Sequence, residues 1–184
     1  LAGPAPAALG GLAALEDLAL DNNQITELPS SIGDLTNLST LILRQNLLNE
    51  LPGSIGNLKC LKLLHVSSNQ LKFLPDEISG LDSLVQLYAN SNQIAKFPDE
   101  VLGLSNLKHL NLSVNKIAVV PDTALSSWGP LDFATGVMTG AAERVKVLLH
   151  GNPCLSIHTD GEVLVEEEAD DDDINLDDVD EAAT

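Results

Sequence analysis

Asn23, Asn46, Asn69, Asn92 and Asn115 are spaced 23 residues apart, and Pro29, Pro52, Pro75, Pro98 and Pro121 keep the same step. The apolar positions between them hold register too. Leu12, Leu35, Leu58, Leu81 and Leu104 open each unit, and Leu15, Leu38, Leu61, Leu84 and Leu107 follow three residues later. Next come Leu18, Leu41, Leu64, Leu87 and Leu110, then Leu20, Leu43, Val66, Ala89 and Leu112. A strict internal period of this length is the signature of a repeat architecture, and it takes precedence over any local secondary-structure reading. One unit exposes apolar residues above and below, so it can bury them only against its neighbours.

The unit reads L-x-x-L-x-x-L-x-L-x-x-N-x-L-x-x-L-P-x-x-I-G-x, with Gly33, Gly56 and Gly103 near its end. Its L-x-L step has period two, which puts both leucines on one face of a short strand and the residues between them on the other. The asparagine follows where the chain must turn. Its amide can bond backbone groups and it tolerates unusual dihedrals, so stacked units predict a ladder of amides. The proline fixes the returning backbone and keeps it from pairing as a second strand. Parallel strands about 4.8 Å apart then line one face of a short solenoid.

This pattern resembles the leucine-rich-repeat superfamily. Leu51–Pro52 through Ile55–Gly56 is similar to its L-P-x-x-I-G variant, found in the plant intracellular Ras-group proteins and their animal Ras-pathway relatives. The resemblance covers roughly residues 5–155. It implies an α/β solenoid: a horseshoe segment of about six repeats with short parallel strands on the concave face. The G-x-I-P unit of extracellular plant receptors is absent.

Both ends depart from the repeat. Pro6, Leu9, Gly10 and Leu12 match the later half of a unit whose strand is missing, so the chain is expected to be a piece of something longer. Beyond Pro121 the next matching asparagine is Asn152, 37 residues after Asn115, which is one step plus 14. The irregular stretch at about 124–141 holds the only Trp, Trp128, and the only Met, Met138. Three readings stand: a loop presenting Trp128 and Phe133 to a partner, a loop folded over the end of the core, or a misread gene. The solenoid is expected to finish near Leu155, giving a repeat domain of 1–155 and a tail of 156–184.

Charge divides at the same place. The chain carries 27 acids against 9 bases, a formal charge of −18. Residues 1–155 hold all 9 bases and 14 acids; residues 156–184 hold 13 acids and no base. With runs such as Glu166–Glu168 and Asp170–Asp173, the tail cannot bury enough apolar surface to offset its ordering entropy, and the expectation is disorder. It is either a lure for a basic partner or a solubilising segment, with Ile174, Leu176 and Val179 as a minimal docking motif. The balance argues against the nucleic-acid backbone as partner, and against an anionic membrane surface. No apolar run reaches the roughly 18 residues a membrane span needs.

No residue set suggests catalysis: G-x-x-x-x-G-K, H-E-x-x-H and G-x-S-x-G are all absent. His65 and His109 fall two repeat steps apart, about 10 Å, too far to share one metal ion. No metal, cofactor or small-molecule substrate is expected. Cys60 and Cys154 are too few for a disulfide framework, and Cys60 is expected as a small core or edge residue. Asp76–Glu77 and Asp99–Glu100 are expected on a solvated outer side. Asn37 and Asn111 open N-x-S sequons with nothing else to suggest secretion.

The outward strand positions form the candidate surface. By unit they are Asp17, Ala19, Asp21; Thr40, Ile42, Arg44; Leu63, His65, Ser67; Gln86, Tyr88, Asn90; His109, Asn111, Ser113; and Lys146, Leu148, His150. Ile42, Leu63, His65 and Tyr88 are expected as an exposed apolar band, with Arg44 and Asn90 at its margin and Gln86, His109 and Asn111 beside it. Such patches mark interaction sites, and Tyr and Arg are favoured anchors. The expectation is a non-catalytic scaffold that binds a partner protein on this concave face. By resemblance it serves small-GTPase-type signalling in the cytoplasm, with the nucleus as alternative. Two other readings stay open: an acidic-tail chaperone for basic proteins, and the sensor part of a larger enzyme.

Overall fold

The computed structural model describes residues 1–128, 131–132, 135–139 and 145–155. Phe133 and the acidic segment 156–184, with the expectations placed on them, lie outside the described residues.

Six short strands run parallel in one sheet: β2 (Asp17–Ala19), β4 (Thr40–Ile42), β5 (Leu63–His65), β6 (Gln86–Tyr88), β7 (His109–Asn111) and β10 (Lys146–Leu148). They pair so that Asp17, Thr40, Leu63, Gln86, His109 and Lys146 stand side by side. Each partner lies one sequence period further on, except across the irregular stretch. Two further strands, β1 (Ala2–Gly3) and β3 (Gln24–Ile25), form a small parallel pair at the N-terminal end. Residues 2–11 thus supply the later half of a unit ahead of β2.

Each proline sets up the return of the chain. Pro29, Pro52 and Pro75 hold extended dihedrals immediately before five-residue 3-10 turns at Ser30–Asp34, Gly53–Asn57 and Asp76–Gly80. The apolar residue inside each turn, Ile32, Ile55 or Ile78, is fully buried, a change of surroundings that favours folding by about 1.5–3 kcal/mol per side chain. The turns stack as closely as backbone allows. A Cβ on Gly33 would stand 2.5 Å from the Ser54 carbonyl oxygen, and one on Gly56 2.3 Å from that of Glu77. Because turns are broader than strands, the sheet takes the inside of the curve and becomes the concave face.

The asparagine ladder forms as the period predicts. Asn69 Oδ1 accepts the Leu48 N–H at 3.0 Å, and its Nδ2 donates to the carbonyls of Leu43 at 3.0 Å and Val66 at 3.1 Å. Asn46, Asn92 and Asn115 repeat this set one unit apart. The unusual dihedrals belong to a neighbour, however. It is the residue before each asparagine that is left-handed: Asn22, Gln45, Ser68, Ser91 and Val114, with φ between 51° and 55°.

The irregular stretch is more ordered than its lack of period suggests. It begins with helix α1 (Asp122–Trp128) and continues as strands β8 (Leu131–Asp132) and β9 (Val137–Thr139), which pair antiparallel. β9 also pairs antiparallel with β10, so the sheet extends beyond the sixth repeat strand in the order β10, β9, β8. A parallel edge is thereby covered by a short hairpin, one of the ways folds protect exposed strand edges. Trp128 is buried with its ring edge-on to Phe97 at 6.2 Å, and Met138 is fully buried. Burial of Trp128 favours the stretch folded over the core and removes that side chain from the surface.

Candidate protein-binding face

The L-x-L step of each unit sends two apolar residues into the core, and the strand register aligns the residues between them into columns. The first is Asp17, Thr40, Leu63, Gln86, His109 and Lys146; the second is Ala19, Ile42, His65, Tyr88, Asn111 and Leu148. All nine predicted site residues lie at outward positions of this face, on four adjacent units.

Their exposure differs from expectation. Leu63, His65, Gln86 and Asn111 are buried, Ile42, Arg44, Tyr88 and Asn90 are half-buried, and His109 is exposed. The exposed apolar band is therefore corrected: Leu63 and His65 do not stand clear in solvent. Within the sheet, Leu63 lies between Thr40 and Gln86, and His65 between Ile42 and Tyr88. Strands about 4.8 Å apart bring such side chains into lateral contact.

The middle of the face is a packed polar-aromatic cluster. The His65 and Tyr88 rings lie 5.2 Å apart, tilted by 55°, in the range of edge-to-face attraction. His65 Nε2 and Ser67 Oγ share a short hydrogen bond. One unit on, Asn111 Oδ1 accepts from both the Ser113 N–H (3.0 Å) and the Ser113 hydroxyl (2.6 Å). Arg44 lies 3.9 Å from Asp21 on the neighbouring strand's exit, a partly exposed ion pair of small energetic weight.

Charge on this face is segregated in a way that overall composition hid. The first unit presents Glu16, Asp17 and Asp21. From the second to the sixth unit, the strand segments 39–44, 62–67, 85–90, 108–113 and 145–150 contain no acid. They contain Arg44, Lys62, Lys108 and Lys146, with His65, His109 and His150. Lys62 and Lys108, each one residue ahead of its strand, were not among the predicted site residues. Sorting charged residues by position within the unit would have found them. Among the described residues no three His, Cys, Asp or Glu side chains converge as a metal site. None of their helices is long and apolar enough to cross a membrane. Cys60, expected in the core or at an edge, is exposed, and Cys154 is buried.

The pattern describing a leucine-rich repeat region matches residues 5–127. No curated protein matches the chain. Among solved structures, a leucine-rich-repeat protein of Leptospira interrogans is similar at 30% identity and a TM-score of 0.67, over 81% of this chain and 34% of that one. A plant peptide hormone receptor, RGFR1, in complex with RGF2 matches at 28% identity and 0.63, over 70% of this chain and 22% of that one. An internalin of Listeria monocytogenes matches at 28% and 0.60, over 68% and 36%. The chain thus spans about a third or less of the length of each.

Proposed function

Because the chain belongs to the leucine-rich-repeat family, we propose that it is a non-catalytic scaffold that binds a partner protein on its concave strand face. The observation that carries this reading is the register, which gathers outward residues of six units into one continuous surface on a rigid stack. Tyr88, Arg44, Ile42, Asn90 and His109 are its accessible elements, with the His65 ring packed beside that of Tyr88. The similar receptor structure that holds RGF2 supports a polypeptide as the class of ligand. The L-P-x-x-I-G signature makes cytoplasmic, small-GTPase-type signalling the setting we favour.

The acidic segment supports a second reading, in which binding follows residues 156–184 and the partner is basic. The test is to identify a partner by affinity capture, purify it, and titrate it against the full chain and two variants. Arg44→Glu with Tyr88→Ala alters the strand face; Lys72→Glu with Phe73→Ala alters the outside. The strand-face reading predicts that the first variant loses at least about tenfold in affinity, roughly 1.4 kcal/mol, and the second keeps it. Equal affinities for all three, abolished by high salt, would give the acidic-segment reading instead.

A further inference from the structure

We propose that the strand face selects an extended peptide segment with opposite charges at its two ends, basic over the first unit and acidic over the fifth and sixth. The inference rests on the reading of this face as a binding surface and specifies the chemistry of what it binds.

The face is longer across its strands than along them. Each strand has three residues, about 10 Å, whereas the six strands span about 24 Å at five spacings. An extended ligand therefore gains most contact by crossing the strands. Along that direction the exposed charges are sorted by sign. Glu16 and Asp17 are exposed at β2, and Lys108 and His109 at β7 and Lys146 at β10 are exposed at the far end. Segment 16–21 of the first unit holds no base, and segments 108–113 and 145–150 of the fifth and sixth hold no acid.

These end charges are not cancelled on the face itself. Asp21 has Arg44 at 3.9 Å, but Glu16, Asp17, Lys108 and Lys146 form no ion pair among the described residues. From β2 to β7 is about 19 Å, more than two screening lengths of about 8 Å at physiological ionic strength. Opposite charges one strand apart would pair; these stay separate, and each acts on what lies above it. Between them the column from Asp17 to His109 passes through Thr40, Leu63 and Gln86, which carry no charge. In the second column the half-buried Ile42 and Tyr88 offer apolar surface. The charges in between are Arg44, already paired, and the half-buried Lys62, one residue ahead of β5.

The ligand follows from that layout. An extended chain rises about 3.3 Å per residue, so about six or seven residues separate a basic end over Glu16 and Asp17 from an acidic end over Lys108 and Lys146. Its middle is uncharged and apolar where it meets Ile42 and Tyr88. A uniformly acidic chain is repelled at the first unit, and a uniformly basic one at the fifth and sixth. Like-charge contact of this kind suppresses wrong partners, and matched charges fix the register of the right one. Exposed pairs are individually weak, so selectivity comes from satisfying both ends at once.

The test titrates labelled synthetic peptides with capped ends against the full chain. One carries two lysines and two glutamates separated by about seven uncharged residues rich in leucine and valine, matched to the strand span. An isomer of the same composition has its four charges alternating at the centre; two further peptides carry four lysines or four glutamates at the ends. The proposal predicts that the split peptide binds about tenfold more tightly than any of the others, and that the preference shrinks as salt is raised. Glu16→Lys with Asp17→Lys, or Lys108→Glu with Lys146→Glu, should each cost the split peptide about threefold or more. All four positions are exposed, so the fold tolerates the changes. Reversing both ends together should restore binding, with the peptide turned end for end. Equal binding of the split and alternating isomers, tightest binding of the all-glutamate or all-lysine peptide, or binding of none would overturn the proposal. The partner titration given above decides the scaffold reading separately: a partner lost with Arg44→Glu and Tyr88→Ala keeps that reading even where the peptides show no preference.

Discussion

Asn152 Oδ1 accepts the backbone N–H of Ile117 at 2.9 Å across 35 residues, the same bond that Asn115 Oδ1 makes to Ile94 across 21. Asn152 Nδ2 also reaches the Leu112 carbonyl at 2.8 Å. The irregular stretch therefore leaves the array without breaking its ladder. Its 14 extra residues are accommodated by α1 and the β8–β9 pair, and the sixth unit docks as the others do.

The ladder makes a clear energetic prediction. Asn69→Ala leaves the buried Leu48 N–H without its acceptor, while the Leu43 and Val66 carbonyls keep the amides of Asn46 and Asn92. The expected loss is about 1–3 kcal/mol of unfolding free energy, the cost of one unsatisfied buried group. Asn69→Asp keeps the acceptor and loses the donor, so it too should destabilise. Urea denaturation of the full chain measures both.

Close stacking of the outer turns gives a second, paired prediction. Gly56→Ala would place a Cβ 2.3 Å from the Glu77 carbonyl oxygen, which forces backbone apart. Overpacking of this kind costs about 1–3 kcal/mol. Gly103 stands one position later in its own turn, where a Cβ meets nothing within 4 Å, so Gly103→Ala should leave stability nearly unchanged. A thermal melt of the two variants side by side separates the explanations.

Val114 carries the opposite sign. It is β-branched, yet it holds a φ of 51° at a position that other units fill with Asn, Gln or Ser. A side chain with a branched Cβ is strained in this left-handed region, whereas asparagine adopts it readily. Val114→Asn should therefore stabilise by about 1 kcal/mol. A denaturation midpoint that moves down would show that the Val114 contacts outweigh its backbone strain.

Trp128, the only tryptophan, reports on the irregular stretch. Buried against Phe97, it should emit in the blue, resist acrylamide quenching, and shift to the red when Phe97→Ala opens its pocket. Red-shifted, freely quenched emission from the unaltered chain would mean that Trp128 is presented to solvent.

These particulars show what a sequence of this kind discloses. The core columns and the ladder were legible because each is a single residue type repeated at one spacing. The α1 helix and the β8–β9 pair were not, because the stretch from 122 to 139 occurs once and carries no period. The burial of Leu63 and His65 was hidden for another reason: it depends on Thr40, Gln86, Ile42 and Tyr88, which lie 23 residues away and meet them only through strand pairing. The cationic character of units two to six was masked by acids at Asp76, Glu77, Asp99 and Glu100, which sit in the outer turns.

The most direct measurement places a photoreactive amino acid at position 88, 109 or 73 of the full chain and identifies what each cross-links to the purified partner. The strand-face account predicts covalent adducts from 88 and 109 and none from 73. Adducts from 73 alone would put the partner on the outside of the solenoid and contradict it.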